Sequence, residues 1–442
     1  MGRLIAGAAT PSFSPGRRYR RLAAVAICCA AGLVASACSG GGTAGGKQGA
    51  SPAATGLQVS ITPANGSGDA APNQGITVTA AEGKLGKVTV TTSGDPVSGT
   101  MNAAGTVWRS TWALDVAESY KVTATATGTS AAGTSGQKVT RTSAFKTLNP
   151  SQTFTAEIYE ASGQTYGVGM PIILYFNRQI TDKAAVERAL QITSSKPVVG
   201  SWYWDYPCNM AVTCAYFRPE SYWAPGTTVS FTGHLNGVEG APGVYGYHTL
   251  TQSFSIGASL IVVASTVTHH MELYQNGQLI DSWPISTGRP GDNTPNGTYL
   301  TIDKGNPVDM KGPGYNLEVP WSVRFTWSGD YLHDAYWSVG EQGFTNVSHG
   351  CVNMPPADAE IYYKMEIPGD PVTVTGSPKA GTWDNGWTMW FLPWSKYLQG
   401  SGTGDAVEAG PTGSTFVSPS AVPASTATAP LGTADPSNWS AS

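Results

Sequence analysis

The chain has 442 residues, enough for two to four domains that each bury a core. Only 12% of residues are charged, the net charge is −4, and Gly (54) and Pro (30) are plentiful. A balance this mild excludes electrostatic capture of nucleic acid as the main activity, and few charges among many Thr, Ser, Val and Gly point to an extracellular, β-rich protein.

The N-terminus agrees. "RRYRRLAAVAICCAAGLVASAC" sets Arg17, Arg18, Arg20 and Arg21 before an apolar run that ends in small residues at Cys38, the pattern of a secretory signal over residues 1–37. "VASACSGG" resembles a bacterial lipobox, which makes Cys38 the lipidated first residue of the mature chain, although Ala35 stands where Leu or Val is usual. An ordinary signal peptide cut nearby is the alternative. Residues 38–56 then read as a flexible Gly/Ala/Ser linker.

From Leu57 the pattern becomes "LQVSIT", "ITVTAA", "KVTVTT", "TVWRSTWAL", "YKVTATAT" and "KVTRTSAF", short alternating runs separated by Gly, Asn, Asp and Pro. That predicts an Ig-like β-sandwich over residues 57–148. A second Ig-like domain is expected over 149–256, from "QTFTAEIY" and "GMPIILYF" to "TTVSFTGHL" and "HTLTQSFSI". It contains one short helix in "TDKAAVERALQI", capped by Thr181 or Asp182. Cys208 and Cys214, close together in an oxidising compartment, are expected to form a disulfide.

The third block, 257–376, opens with the buried-strand run "SLIVVAST". "QNGQ" marks a hairpin turn, "PPADAEIYYKM" a helix begun by proline, and "DPVTVTG" a last strand. The whole is therefore expected to be mainly β: two N-terminal Ig-like sandwiches, then a mainly-β third domain. The aromatic extension 377–400 should pack back on that third domain, because its Trp residues are costly to leave wet. Residues 401–442 are low in complexity and are expected to be disordered.

One cysteine is left without a use. Cys351, in "NVSHGCVNM", has no partner thiol once Cys28 and Cys29 leave with the signal. A thiol attacks as thiolate and needs a base; His349 shares its face if the stretch is a strand, and His333 returns through a loop of easy closure. Gly350 permits the tight turn that presents amide N–H groups to an oxyanion, with Ser348 and Asn353 as flanking hydrogen-bonding groups. A buried structural cysteine remains open, as does zinc held by His333, His349, Cys351 and His269 or His270.

Taken with "YQNGQLIDSWPISTGRPGDNTPNGTY", the stretch "HDAYWSVGEQGFTNVSHGCVNM" closely resembles the L,D-transpeptidase catalytic domain (YkuD family), over roughly Ser259 to Gly376. The lipobox, the two β domains and the aromatic extension resemble its actinobacterial members. The resemblance implies Cys351 as nucleophile, His333 as general base and His349 as a further motif residue. It implies attack on the diaminopimelate carbonyl of a peptidoglycan tetrapeptide stem, release of D-Ala, a thioester, and resolution by a second stem's amine into a 3→3 cross-link. No cofactor or metal is called for.

A lid is implied in "NPVDMKGPGYNLEVPWSVRF", with Tyr315 and Trp337 contacting substrate, and carbapenems are implied as covalent inhibitors. Asp334 stands where relatives often carry serine, and would raise the imidazole's basicity or face solvent. Such an enzyme is exported and lipid-anchored at the outer face of the membrane. The alternatives are a carboxypeptidase transferring the same thioester to water, a catalytically silent wall-binding spacer, and a sortase using Arg324.

Overall fold

The fold was analysed in a computed structural model that describes residues 56–130, 133–205, 208, 211–312 and 315–419. Cys38, the signal and all but the last residue of the linker lie outside the described residues. Each of the six alternating runs before residue 148 becomes a strand. Gln58–Thr62, Thr77–Ala81, Val107–Ser110 and Gly99–Met101 form a 4-stranded sheet, and Gly83–Thr91, Ser119–Gly128 and Lys138–Lys146 a 3-stranded one. Alternation drives the packing: along Ser119–Gly128, Tyr120, Val122, Ala124 and Ala126 turn inward onto Val78, Ile76 and Leu114.

The second sandwich carries Thr165–Tyr166, Leu250–Ile256, Thr228–Gly233 and Leu190–Ser194 in one sheet. Helix Lys183–Arg188 forms where the helical spacing lies, with Asp182 Oδ1 accepting the Ala185 N–H, but the last residues of the predicted helix join the sheet as Leu190–Ser194. Cys208, between strands Val198–Asp205 and Thr213–Pro219, is disulfide-bonded to Cys214 in the second of them.

Two expectations about the C-terminus are corrected. Residues past 401 do not all read as disordered: Ala406–Gly410 and Gly413–Val417 form a hairpin that extends the second domain's 6-stranded sheet, with Val198 opposite Ala409 and Gly200 opposite Val407. What fixes it is a buried carboxylate. Glu187 accepts from Trp204 Nε1 (3.0 Å), Ser401 Oγ (2.6 Å), the Gly402 N–H (2.5 Å) and Thr403 Oγ1 (3.1 Å). A composition rich in Ser, Thr, Ala and Gly hides this, because the tie is made by one distant residue. Residues 420–442 lie outside the described residues.

The aromatic extension, expected on the third domain, straddles the second and third. Phe391 enters the third domain's core, but Trp387, Met389, Trp390 and Tyr397 join the core of the second. The reason is Arg218, buried in the second domain, whose guanidinium lies 4.4 Å from the Trp390 ring centre and 4.3 Å from that of Tyr397.

The third domain packs two sheets around one core. Gln278–Pro284, His270–Gln275, Leu260–Ser265, Pro371–Thr375 and Gly297–Leu300 form a 5-stranded sheet. Its central strand Leu260–Ser265 runs parallel to Pro371–Thr375, which is why its sequence is continuously apolar. Asn276 and Gly277, both at positive φ (50° and 81°), close the predicted hairpin. The second sheet is Asp303–Gly305, Ser322–Arg324, Tyr331–Asp334 and Val352–Met354, backed by helix Pro356–Met365. Its last two strands are parallel and set His333 opposite Asn353.

Candidate active site

That pairing brings the two ends of the motif together. A cavity of about 300 Å³ is lined by His333, Trp337, Ser348, His349, Cys351 and Asn353 on the sheet side. Met310, Tyr315, Leu317 and Val319 cover it from the hairpin Val308–Gly312 and Tyr315–Val319, the stretch predicted as a lid. Asp334, expected among the substrate-contacting residues as the neighbour of His333, is absent from this lining.

The loop before the thiol is a turn rather than a strand. Strand pairing begins at Val352, and Gly350 has φ 133°, where a side chain is strained; an added Cβ would also lie 2.4 Å from Asp330 Oδ1. The expectation that His349 and Cys351 share a strand face is therefore replaced. The exposed His349 ring packs instead against Tyr315 of the lid, centres 5.1 Å apart.

Ser348 is the brace of the turn. Its Oγ donates to the Cys351 carbonyl (2.6 Å) and accepts the Gly350 N–H (3.1 Å), so that amide is engaged within the loop. Thr294 Oγ1 donates to the Gly350 carbonyl (2.7 Å). Asn353 donates through Nδ2 to Ser338 Oγ (2.9 Å) and exchanges backbone bonds with Ser286. Asn346 Oδ1 accepts from the Thr287 N–H and hydroxyl, tying the loop to "PISTG". Thr294, Ser286, Thr287, Ser338 and Asn346 were missed by sequence reasoning; the first three have as signal the polar run after strand Gln278–Pro284.

His333 is 3% exposed, and its Nδ1 lies 2.7 Å from the Asp334 carbonyl oxygen. A carbonyl only accepts, so Nδ1 carries the proton and Nε2 keeps its lone pair. Burial pushes the imidazole down to about 4, so it is neutral at pH 7. Trp337 stacks on the ring, centres 5.8 Å apart.

Asp334 neither faces solvent nor meets the imidazole through its carboxylate. It is 6% exposed, and its main-chain carbonyl is what holds His333. Its carboxylate takes the Tyr336 N–H, while burial raises its pKa.

Burial, with the Asp330 charge second, pushes the Cys351 thiol up to about 12; the Tyr331 N–H, which hydrogen-bonds to the sulfur, opposes this. Both Cys351 and His333 are therefore neutral at rest. His269 Nδ1 bonds Asn346 Oδ1 and His270 Nδ1 the Thr268 carbonyl. Among the described residues no group of His, Cys, Asp and Glu is set to hold a metal ion. Arg324 donates to the carbonyls of Thr326 and Trp327, with Asp303 3.8 Å away, and does not line the cavity.

Comparison with known proteins finds matches to two family models. A bacterial Ig domain matches residues 67–239, and the L,D-transpeptidase catalytic domain, YkuD, matches 259–374. L,D-transpeptidase 2 of Mycobacterium tuberculosis is 34% identical over 74% of this chain and 80% of its own length. L,D-transpeptidase 5 of that organism is 33% identical over 77% of this chain and 76% of its own. A solved L,D-transpeptidase in complex with imipenem is 34% identical, covering 50% of this chain and 97% of that one, with a TM-score of 0.42. The chain belongs to the L,D-transpeptidase family.

Proposed function

We propose that the chain forms 3→3 peptidoglycan cross-links through a thioester on Cys351, with His333 as general base. The observation that carries this reading is the fixed tautomer of His333: Nδ1–H is committed to the Asp334 carbonyl, so Nε2 is the basic atom of a ring that lines the same cavity as the thiol. The thiol proton passes to Nε2 as sulfur attacks the diaminopimelate carbonyl of a tetrapeptide stem. His333 then protonates the departing D-Ala amine, leaving the thioester.

Because thiol and imidazole are both neutral at rest, proton transfer accompanies attack instead of preceding it. A neutral, half-buried thiol is also slow to oxidise, which suits an unpaired cysteine in an exported protein. The amine of a second stem then attacks the thioester; His333 takes its proton and returns it to sulfur. Met310, Leu317 and Val319 of the lid supply an apolar cover that shelters the thioester from water.

The same thiol is proposed to be acylated by carbapenems, one of which, imipenem, is bound in the solved relative. The mature chain is proposed to begin at a lipid-modified Cys38 and to act in the cell wall from the outer face of the membrane, the sandwiches serving as spacers.

Intact mass of the chain mixed with a tetrapeptide-stem muropeptide tests the reading. The expected result is an adduct with D-Ala released, absent in Cys351→Ala, followed by cross-linked dimers. Tripeptide without dimers would make the chain a carboxypeptidase; no adduct from folded protein would leave a silent spacer.

A further inference from the structure

We infer that Asp330 anchors the cationic amine that resolves the acyl-enzyme, and thereby biases the thioester toward aminolysis over hydrolysis. The inference rests on the thioester reading above and names a residue for its second step.

Asp330 lies between two residues that touch the sulfur. The Gly329 carbonyl is 3.9 Å from Cys351 Sγ, and the Tyr331 N–H hydrogen-bonds to it. The carboxylate is held by one oxygen only. Oδ2 accepts from Thr326 Oγ1 (2.8 Å) and Ser328 Oγ (3.2 Å), while Asp330's own N–H donates to Thr326 Oγ1 (2.8 Å). Oδ1 turns to the nucleophile's turn, so close to Gly350 that a Cβ there would lie 2.4 Å away.

No cation neutralises this group. Among the described residues the ion pairs are Arg289–Asp292, Lys304–Glu366, Arg324–Asp303 and Lys364–Glu360. Asp292, the other acid whose charge reaches Tyr315, is thus already partnered by Arg289. Asp330 is a fixed, half-buried carboxylate that flanks the cavity without lining it, with Oδ1 against Gly350 and its charge felt at both Cys351 and Tyr315.

For the first step that charge is a handicap, since it opposes ionisation of the thiol. For the second it is an asset. A side-chain primary amine has an ordinary pKa of about 10.4 and arrives as ammonium. A carboxylate whose chain neighbours touch the sulfur raises the concentration of that cation around the thioester through its field, and does nothing comparable for water.

The step balances as thioester plus R–NH3+ giving amide, Cys351 thiol and one proton. The ammonium loses one proton to solvent. The amine nitrogen bonds the acyl carbon as carbon–sulfur breaks, and its second proton passes through His333 Nε2 to sulfur.

The test compares two nucleophiles on acyl-enzyme pre-formed from a tetrapeptide stem. One is a diaminopimelate tripeptide stem, charged at pH 7.5, and the other hydroxylamine, uncharged at that pH. Asp330→Asn is expected to lower the ratio of amine to hydroxylamine kcat/KM about tenfold, with most of the change in KM, as removal of a nearby charge partner allows. Asp330→Glu should recover part of it.

Equal losses with both nucleophiles, or no change in the ratio, would overturn the assignment. If Asp330→Asn does not fold, added salt on the wild-type chain decides: KM for the charged amine must rise several-fold and that for hydroxylamine must not, or the inference fails. Absence of any wild-type acyl-enzyme overturns the thioester reading and this inference together. A normal acyl-enzyme with an unchanged ratio overturns this inference alone.

Discussion

The junction between the second and third domains and the candidate cavity both bury ionisable groups, and they supply them with different partners. At the junction, Glu187 is surrounded by donors from Trp204 and Ser401 to Thr403, and Arg218 is enclosed by aromatic faces and carbonyls. In the cavity, His333 and Cys351 have little to compensate burial, and each is driven to its neutral form. Donors around Glu187 favour a fixed joint; burial with fewer partners leaves an imidazole and a thiol in their neutral forms. Stability and reactivity thus draw on the same desolvation cost with different partners supplied.

The strongest way to break this comparison is to remove the base. His333→Asn should lower the rate of Cys351 acylation by about 10³-fold, within the range general bases contribute. Rapid-quench mass measurement with a tetrapeptide stem would read it, with Cys351→Ala giving no adduct. A His333→Asn enzyme within tenfold of wild type would mean that another group takes the proton, and His349 would be examined next.

At the junction the loss should appear in stability. Glu187→Ala leaves the Trp204 Nε1–H and the Gly402 N–H without an acceptor, and should cost about 3 kcal/mol in urea unfolding. Acylation per folded molecule should stay at the wild-type rate. A variant that stays fully folded yet loses acylation would show that the junction sets the geometry of the cavity, contrary to the division drawn above.

The sequence told these two regions apart unequally. Local pattern located the alternating strands of the first sandwich, the Asn276–Gly277 turn and helix Pro356–Met365, because each rests on neighbours in the chain. The motif pointed to Cys351 and His333, and the parallel pairing of Tyr331–Asp334 with Val352–Met354, which starts one residue after the thiol, explains why residues so far apart share a cavity. What stayed hidden depends on distant partners. The hairpin Ala406–Val417 needs Glu187, the aromatic extension needs Arg218, and the turn before Cys351 needs Thr294 and Asn346. Asp334 was misplaced for a related reason: its functional atom is the main-chain oxygen, which sequence does not distinguish from any other.

A smaller effect sharpens the cavity side. Burial lowers His333 from 6.5 to about 4, so between these values the unfolded chain binds a proton that the folded chain does not. Stability therefore rises with pH through this window and is lost on acidification. Between pH 7.5 and pH 5 the loss from this residue is about 2 kcal/mol. His333→Asn should shrink the acid loss by that amount in paired urea titrations. Identical slopes for both proteins would mean the imidazole is wetter than its burial implies.

The smallest expected effect is at Asp334, and it bears directly on how the base is held. If the main-chain carbonyl alone sets the His333 tautomer, Asp334→Asn should change acylation by less than about threefold, since the carbonyl remains. The carboxylate costs something to keep: Oδ1 is buried without a partner, and burial raises its pKa by penalising the ionised form. The neutral amide should therefore be at least as stable at pH 7, and any gain should fade as acid protonates the wild-type carboxyl. A larger fall in acylation, with unfolding unchanged, would instead place the Asp334 charge in the control of the imidazole. The cavity would then resemble the junction in supplying its buried group with an ionic partner.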